Sequence, residues 1–221
     1  MINLKKNLII IIPALEKNKY SPNGDLHKFG GITLLEWKIS QAKNINQYSK
    51  IIVCTPSKKI KQKCDKLGIN VLLRKKSNNL SSFHQFVASK YKNKFLLYLN
   101  PTSPFLSSKI INKVILSFKK NFKKYDSACT IFENKEYFFY NKRSVNFDFN
   151  QASVSRSNIS PLTNLTNGFF LISSNLSFKK SSIIGYKPLF IKLDWLSSLE
   201  IKTVNDLEAY NFLINYYFEK N

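Results

Sequence analysis

The side chains best suited to chemistry gather in three stretches. Asn100-Pro101-Thr102-Ser103-Pro104 follows an apolar run, Phe95 to Leu99. Two prolines fix its backbone, and Asn100, Thr102 and Ser103 offer short hydrogen-bonding groups suited to reading a nucleotide base or a sugar. A second stretch, Ala14 to Gly31, carries Lys17, Lys19, Asn23, Gly24 and Lys28. Amides of a glycine-containing loop plus an ammonium make a polyphosphate cradle. It follows neither the P-loop nor the dinucleotide glycine pattern, and on spacing alone a solvated lysine-rich loop accounts for it better. The third stretch, Asp194 to Lys202, places Asp194, Glu200 and Lys202 ahead of the last helical segment. Its carboxylates would suit Mg²⁺, although isolated acids are usually solvated.

These stretches need a scaffold, and the chain alternates in a way that supplies one. Asn7 to Pro13 reads as a strand buried on both faces, the kind found centrally in a parallel sheet. The following loop to Gly31 is too long for an ordinary connector, as functional loops often are. A helix is predicted over 32–43 with Thr33 as its cap, then a strand at 50–54, a helix at 57–67 closed by Gly68, and a strand at 69–73. The alternation continues with a helix at 81–90, a strand at 95–99, a helix at 107–121 and a strand at 127–132. From Glu133 to Pro161 the period fades into aromatic and polar residues, which predicts a hairpin excursion. Its rings suit a subunit interface or packing on their own sheet equally well. Strands near 168–172 and 189–193 and a helix over 204–218, opened by Thr203 and Asp206, complete the pattern. The fold class is α/β, one three-layer domain spanning residues 1–221. Ligands of such sheets lie beyond the carboxyl ends of the strands, where all three stretches fall.

Composition narrows the partners. The 221 residues carry 35 Lys and Arg against 13 Asp and Glu, a formal charge of +22. A polyanion would ordinarily be suspected. Only Arg74, Arg143 and Arg156 are arginines, however, and the lysines are spread throughout among Asn, Ile, Ser and Phe. A nucleic-acid reader would cluster its cations and favour arginine, so a solvated lysine coat is the better reading and no nucleic-acid partner is expected. Cys54, Cys64 and Cys129 show neither metal spacing nor a disulfide framework, which fits a reducing cytoplasm. Lys5 and Lys6 before Leu8 to Leu15 imitate a signal peptide, but Pro13, Glu16 and Lys17 interrupt it. No run approaches the roughly 20 apolar residues of a membrane span, and no membrane partner is expected.

The loops also resemble a known family over nearly the whole chain. Ile11-Ile12-Pro13-Ala14 resembles the I-P-A-R opening of the acylneuraminate cytidylyltransferases, which make CMP-sialic acids and are related to the enzymes that activate 3-deoxy-manno-octulosonate. Phe29 to Leu35 resembles their G-G-x-P/S-L-L, Ile51 to Thr55 their I-I-V-S-T, and Val71 to Arg74 their V-x-x-R. Leu99-Asn100-Pro101-Thr102-Ser103-Pro104-Phe105 resembles L-Q-P-T-S-P-L, the most specific match. Asn167-Gly168-Phe169-Phe170 resembles the later N-G-x-x, and Glu200 to Leu207 follows D-I-D-T-x-x-D-L. The departures are equally specific. Leu15 replaces the loop arginine, Gly24 and Asp25 stand for a lysine and an asparagine, Pro56 and Leu165 replace an aspartate and an arginine, and Lys202 stands where a metal-binding aspartate belongs.

The resemblance implies a nucleotidyltransferase domain with a mostly parallel sheet. It implies a reaction in which the anomeric hydroxyl of a nine-carbon keto-sugar acid attacks the α-phosphorus of CTP and pyrophosphate leaves. By motif position, Ala14, Lys19, Arg74, Asn100, Thr102 and Ser103 would bind nucleotide, Lys19 and Lys202 would supply catalytic charge, Arg156, Asn167 and Gly168 would line the sugar side, and Glu200 would hold Mg²⁺. A homodimer through the 133–161 excursion is implied as well. An ammonium at Lys202 would weaken Mg²⁺ binding while itself facing phosphate. The expectation is therefore a cytidylyltransferase of reduced metal dependence or a relative that binds nucleotide without turnover. Legionaminate, pseudaminate or another hydroxylated acceptor stays open beside sialic acid.

Overall fold

The structure is a computed structural model that describes residues 4–76, 79–148 and 155–220. Its centre is β1 (Leu8–Pro13), an apolar strand whose parallel neighbours are β2 (Lys50–Thr55) and β4 (Phe95–Tyr98), with Ile10 opposite Ile51 and Leu97. Beyond β2 lies β3 (Asn70–Leu73). On the other side β4 pairs with β6 (Leu162–Ser173), β6 with β5 (Ser127–Asn134), and β5 with β7 (Pro188–Lys192). The seven-stranded order is β7-β5-β6-β4-β1-β2-β3.

Parallel pairs need crossovers, and helices provide them: α1 (Leu34–Lys43), α2 (Lys58–Lys66), α3 (Leu80–Lys90) and α4 (Ser108–Asn121). Only the β5–β6 link lacks a crossover helix among the described residues, and β6 accordingly runs antiparallel to both neighbours. The excursion carries a small hairpin there, Phe139–Tyr140 with Arg143–Ser144; residues 149–154 of the predicted excursion lie outside those described.

Strand alternation divides the core. Ile10, Ile12, Val53 and Leu97 face Leu35, Ile39, Ile60, Ile111 and Val114 of α1, α2 and α4. Ile9, Ile11, Ile52, Leu96 and Tyr98 face Phe83, Val87 and Ala88 of α3 on the opposite side. A third cluster joins Tyr20, Phe29, Leu34, Trp37, Phe105, Leu196, Ile201, Leu207, Ile214 and Tyr217. It welds the 15–31 loop, the segment after β4 and the chain's end to one another, and so positions the site.

Three differences from the sequence reading have physical causes. β6 starts at Leu162 rather than 168, because its first residues continue the ladder with β5 before the register shifts between Leu165 and Phe170. The helix α5 (Ser174–Lys180) and the single turn α6 (Trp195–Ser198), whose N-cap is Asp194, were not foreseen, nor was the helical turn Leu4–Asn7 ahead of β1. The predicted 204–218 helix is two, α7 (Val204–Phe212) and α8 (Ile214–Lys220). The break sits where the Asn211 side chain accepts the Gly30 N–H and Ile214 packs over Gly30.

Candidate functional site

A cleft of about 280 Å³ opens at the carboxyl ends of β1 and β4. Pro13, Leu15, Tyr20 and Asp25 line it from the first loop, Arg74, Leu80, Phe83 and His84 from β3 to α3, and Asn100, Pro101, Thr102 and Asn167 from the opposite wall. Tyr98 and Ile183 complete it.

The 100–104 segment is anchored through its carbonyls. Thr102 C=O accepts the Ile201 N–H at 2.8 Å, Ser103 C=O accepts Lys38 Nζ at 2.7 Å, and Pro104 C=O accepts Trp37 Nε1 at 2.8 Å and Gln41 Nε2 at 2.7 Å. With the backbone tied inward, Asn100 and Thr102 meet the cleft. Ser103 is buried below it, against Gly168, where an added Cβ would stand 3.1 Å from Ser103 Cβ. That close approach is a reason for glycine at 168.

A polar chain runs out of the cleft. Asn100 Nδ2 donates to Asn167 C=O at 2.6 Å, Asn167 Nδ2 donates to Glu200 Oε1 at 2.9 Å, and Lys202 Nζ lies 3.7 Å from Glu200 Oε2. The turn carrying Glu200 and Lys202 is held by Asp206, which accepts the N–H groups of Lys202 and Thr203 as part of a capping box. Arg74 lies with its guanidinium 5.0 Å from the Phe83 ring centre, and its buried Nε has no hydrogen-bond partner among the described residues. A ligand acceptor would satisfy it.

The first loop closes on itself. Asp25 accepts the Leu15 N–H at 2.7 Å and the Tyr20 hydroxyl at 2.8 Å. Burial raises its carboxyl to about 6 despite both bonds. Burial also lowers the pKa of His84, which favours a neutral ring on the cleft wall.

The structure thus brings Arg74, Asn100, Thr102 and Asn167 to one cleft, with Ala14, Ser103 and Gly168 packed beneath or beside it and Glu200 and Lys202 joined through Asn167. It brings two candidates neither to the cleft nor to the residues joined to it. Lys19 is exposed at the tip of a turn closed by Asn18 and Ser21. Arg156 pairs with Glu136 in the excursion. Asp194 caps α6 through Ser197 rather than facing Glu200. Tyr20, Asp25, Phe83, His84 and Tyr98 were missed as lining residues. Asp25 beside Gly24 offered a faint loop signal; the rings of α3 and β4 look like plain core until strand order is known.

Magnesium fits this donor set poorly. Both Asp25 oxygens are engaged, Glu200 already faces an amide and an ammonium, and no group of three His, Cys, Asp or Glu suited to a metal occurs among the described residues.

A profile described as Cytidylyltransferase matches residues 9–180, most of the chain and all of the cleft's first three walls up to β6. The chain belongs to the cytidylyltransferase family. This cytidylyltransferase is 32% identical over 192 residues to the 3-deoxy-manno-octulosonate cytidylyltransferase of Wigglesworthia glossinidia brevipalpis, covering 84% of this chain and 77% of that one. Its fold matches a solved CMP:2-keto-3-deoxy-manno-octonic acid synthetase complexed with CTP (TM-score 0.71, 10% identity, 95% of this chain and 99% of the other). It also matches a 4-diphosphocytidyl-2C-methyl-D-erythritol synthase from Anaerococcus prevotii (TM-score 0.67, 15% identity, 96% and 99%). These structural likenesses establish the nucleotidyltransferase-like α/β fold with its mostly parallel sheet. Among the described residues no helix is long and apolar enough to cross a membrane.

Proposed function

We propose that this cytidylyltransferase couples CTP to a 2-keto-3-deoxy sugar acid, giving a CMP-sugar and pyrophosphate. The observation that carries the reading is the chain of contacts from Asn100 through Asn167 to Glu200 and Lys202, at the strand ends of a cytidylyltransferase fold. Asn100 and Thr102 read the nucleoside, and the free Nε–H of Arg74 meets an acceptor on it. The sugar acid lies toward Asn167 and Gly168, its anomeric oxygen placed to attack the α-phosphorus in line. Positioning and fixed positive charge do most of the work in such transfers.

Two acceptor lengths are each supported by one observation. The Wigglesworthia relative acts on an eight-carbon acid by its name. The Leu99 to Phe105 motif resembles that of the enzymes for nine-carbon acids. Pyrophosphate release from CTP with 3-deoxy-manno-octulosonate, N-acetylneuraminate, legionaminate and pseudaminate separates them. Folded protein that is stabilised by CTP yet turns over none of these would leave nucleotide binding without transfer.

No step here runs through a protein-held magnesium ion, for which Glu200 is the sole predicted ligand. Lys202 provides charge at that place instead. Wild type is expected to keep a larger fraction of its maximal rate without Mg²⁺ than Lys202→Asp, by roughly tenfold if one charge contact is exchanged. An equal or smaller Mg²⁺-free fraction in wild type would overturn this role. A homodimer through the excursion belongs to the same proposal, motivated by exposed Phe139, Tyr140 and Val145.

A further inference from the structure

Lys38 is wholly buried on α1, the one lysine among the buried residues of a chain whose lysines otherwise lie at or near the surface among the described residues. Its Nζ donates to the Ser103 carbonyl, one link in the row of carbonyls that ties down the segment after β4. Ser103 lies outside every strand and helix, and among the described residues its carbonyl takes its hydrogen bond from this side chain rather than from a backbone N–H.

Among the described residues the ammonium has no counter-charge. On the elements packed against α1, Asp25 bonds Leu15 and Tyr20, and Lys28 and Lys50 are exposed. Cys54 faces the opposite side of the sheet. On α1 itself Glu36 is engaged by Thr33 and Lys63, and Lys43 is exposed. Tyr217, at the chain's end, bonds Gln41. Burial alone accordingly brings Lys38 from 10.5 to about 7. An apolar side chain would fill this place without that desolvation, which makes a purely packing role a poor account of a lysine here.

We propose that Lys38 is a positioning residue for the nucleotide side of the site: it pins the Ser103 carbonyl and thereby fixes the segment that presents Asn100 and Thr102 to the cleft. This rests on the CTP reading above for its functional consequence, but not for its structural one.

The test compares full-length wild type with Lys38→Met and Lys38→Gln. Lys38→Met is expected to melt no lower than wild type at pH 7. Exchange of the Ser103 and Ile201 amides should accelerate and KM for CTP should rise, each by roughly tenfold, the scale of one hydrogen bond to a charged group, with kcat moving less. Lys38→Gln keeps a neutral donor and should recover part of both effects. Wild type should gain stability over Lys38→Met as pH rises from about 7 toward 10.5, where only the unfolded chain still holds the proton.

Unchanged exchange at Ser103 and Ile201 in Lys38→Met would overturn the proposal, as would a uniform loss of protection across the sheet in both variants. If wild type neither binds nor uses CTP, the CTP reading fails, and the exchange data still decide whether Lys38 fixes the segment.

Discussion

Asp25 is a carboxyl almost wholly inside the protein, and its chemistry is set by two opposed effects. Burial raises its pKa from 3.8 to about 6, while the bonds from Leu15 N–H and Tyr20 O–H favour the ionised form and limit the rise. The folded state therefore holds this proton more tightly than the unfolded state. Its contribution to stability is complete below pH 4 and is lost as pH rises through 6, by about 3 kcal/mol for a two-unit shift. Asp25→Asn keeps an acceptor for Leu15 and lets the Tyr20 oxygen accept from the new amide, so folding should survive. Urea unfolding of wild type and Asp25→Asn should show wild type losing stability relative to the variant between pH 4 and 6. A flat difference would refute the assignment. Tyr20→Phe removes one bond to the ionised carboxyl and should raise the Asp25 titration further, read from its carboxyl carbon by NMR. Gly24 shares this tight loop, for its φ is +49° and a Cβ there would stand 2.2 Å from Leu15 C=O.

At the scale of elements, caps place the chemistry as much as strands do. Asp206 closes the first turn of α7 with Thr203 and, through the Lys202 N–H, also shapes the turn bearing Glu200 and Lys202. Asp206→Ala should lower stability by about 1 kcal/mol, the usual scale of a lost cap, and lower kcat/KM by more than that stability change explains. Asp206→Asn, which keeps a side-chain acceptor, should restore most of the rate. Parity of the two variants in rate would argue against a cap that orients the site. Two of these caps were readable beforehand, for Thr33 and Thr203 cap where the residue pattern put them, while Ser57, expected inside its helix, caps it instead. Strands also fell where apolar runs lay, because a central parallel strand is apolar on both faces. The lower half of β6 was illegible since Leu162 to Asn167 alternates no apolar stripe; it is a strand only because β5 is beside it. Asn100 and Thr102 stood out as polar residues just after an apolar run, and Asn167 only through the family motif. Lys38, Asp25 and His84 did not, because burial of a charged or titratable group is a tertiary fact that local composition hides.

For the whole molecule the surplus of positive charge distinguishes two kinds of association by sign. Each chain carries +22, and two copies joined through the 133–161 excursion would bring like charges together. The patch that would meet is aromatic, with Tyr140 and Phe139 exposed and Arg143 opposite Tyr140 in the same hairpin. Screening length falls from roughly 10 Å at 0.1 M salt to about 3 Å at 1 M, which weakens repulsion between the copies while leaving apolar burial intact. Dimerisation should therefore strengthen as salt rises. Binding to a nucleic acid would do the reverse, since counterion release makes it fall steeply with salt. Sedimentation equilibrium across about 0.05 to 1 M NaCl, over which the Debye length shortens roughly four- to fivefold, should show the dimer fraction increasing. Tyr140→Lys, adding a charge to the apolar patch, should shift the chain toward monomer and restore part of the dimer only at high salt. A dimer that dissociates as salt rises would mean that charge pairing rather than this patch holds it, and a chain that stays monomeric throughout would leave the exposed rings without the partner proposed for them.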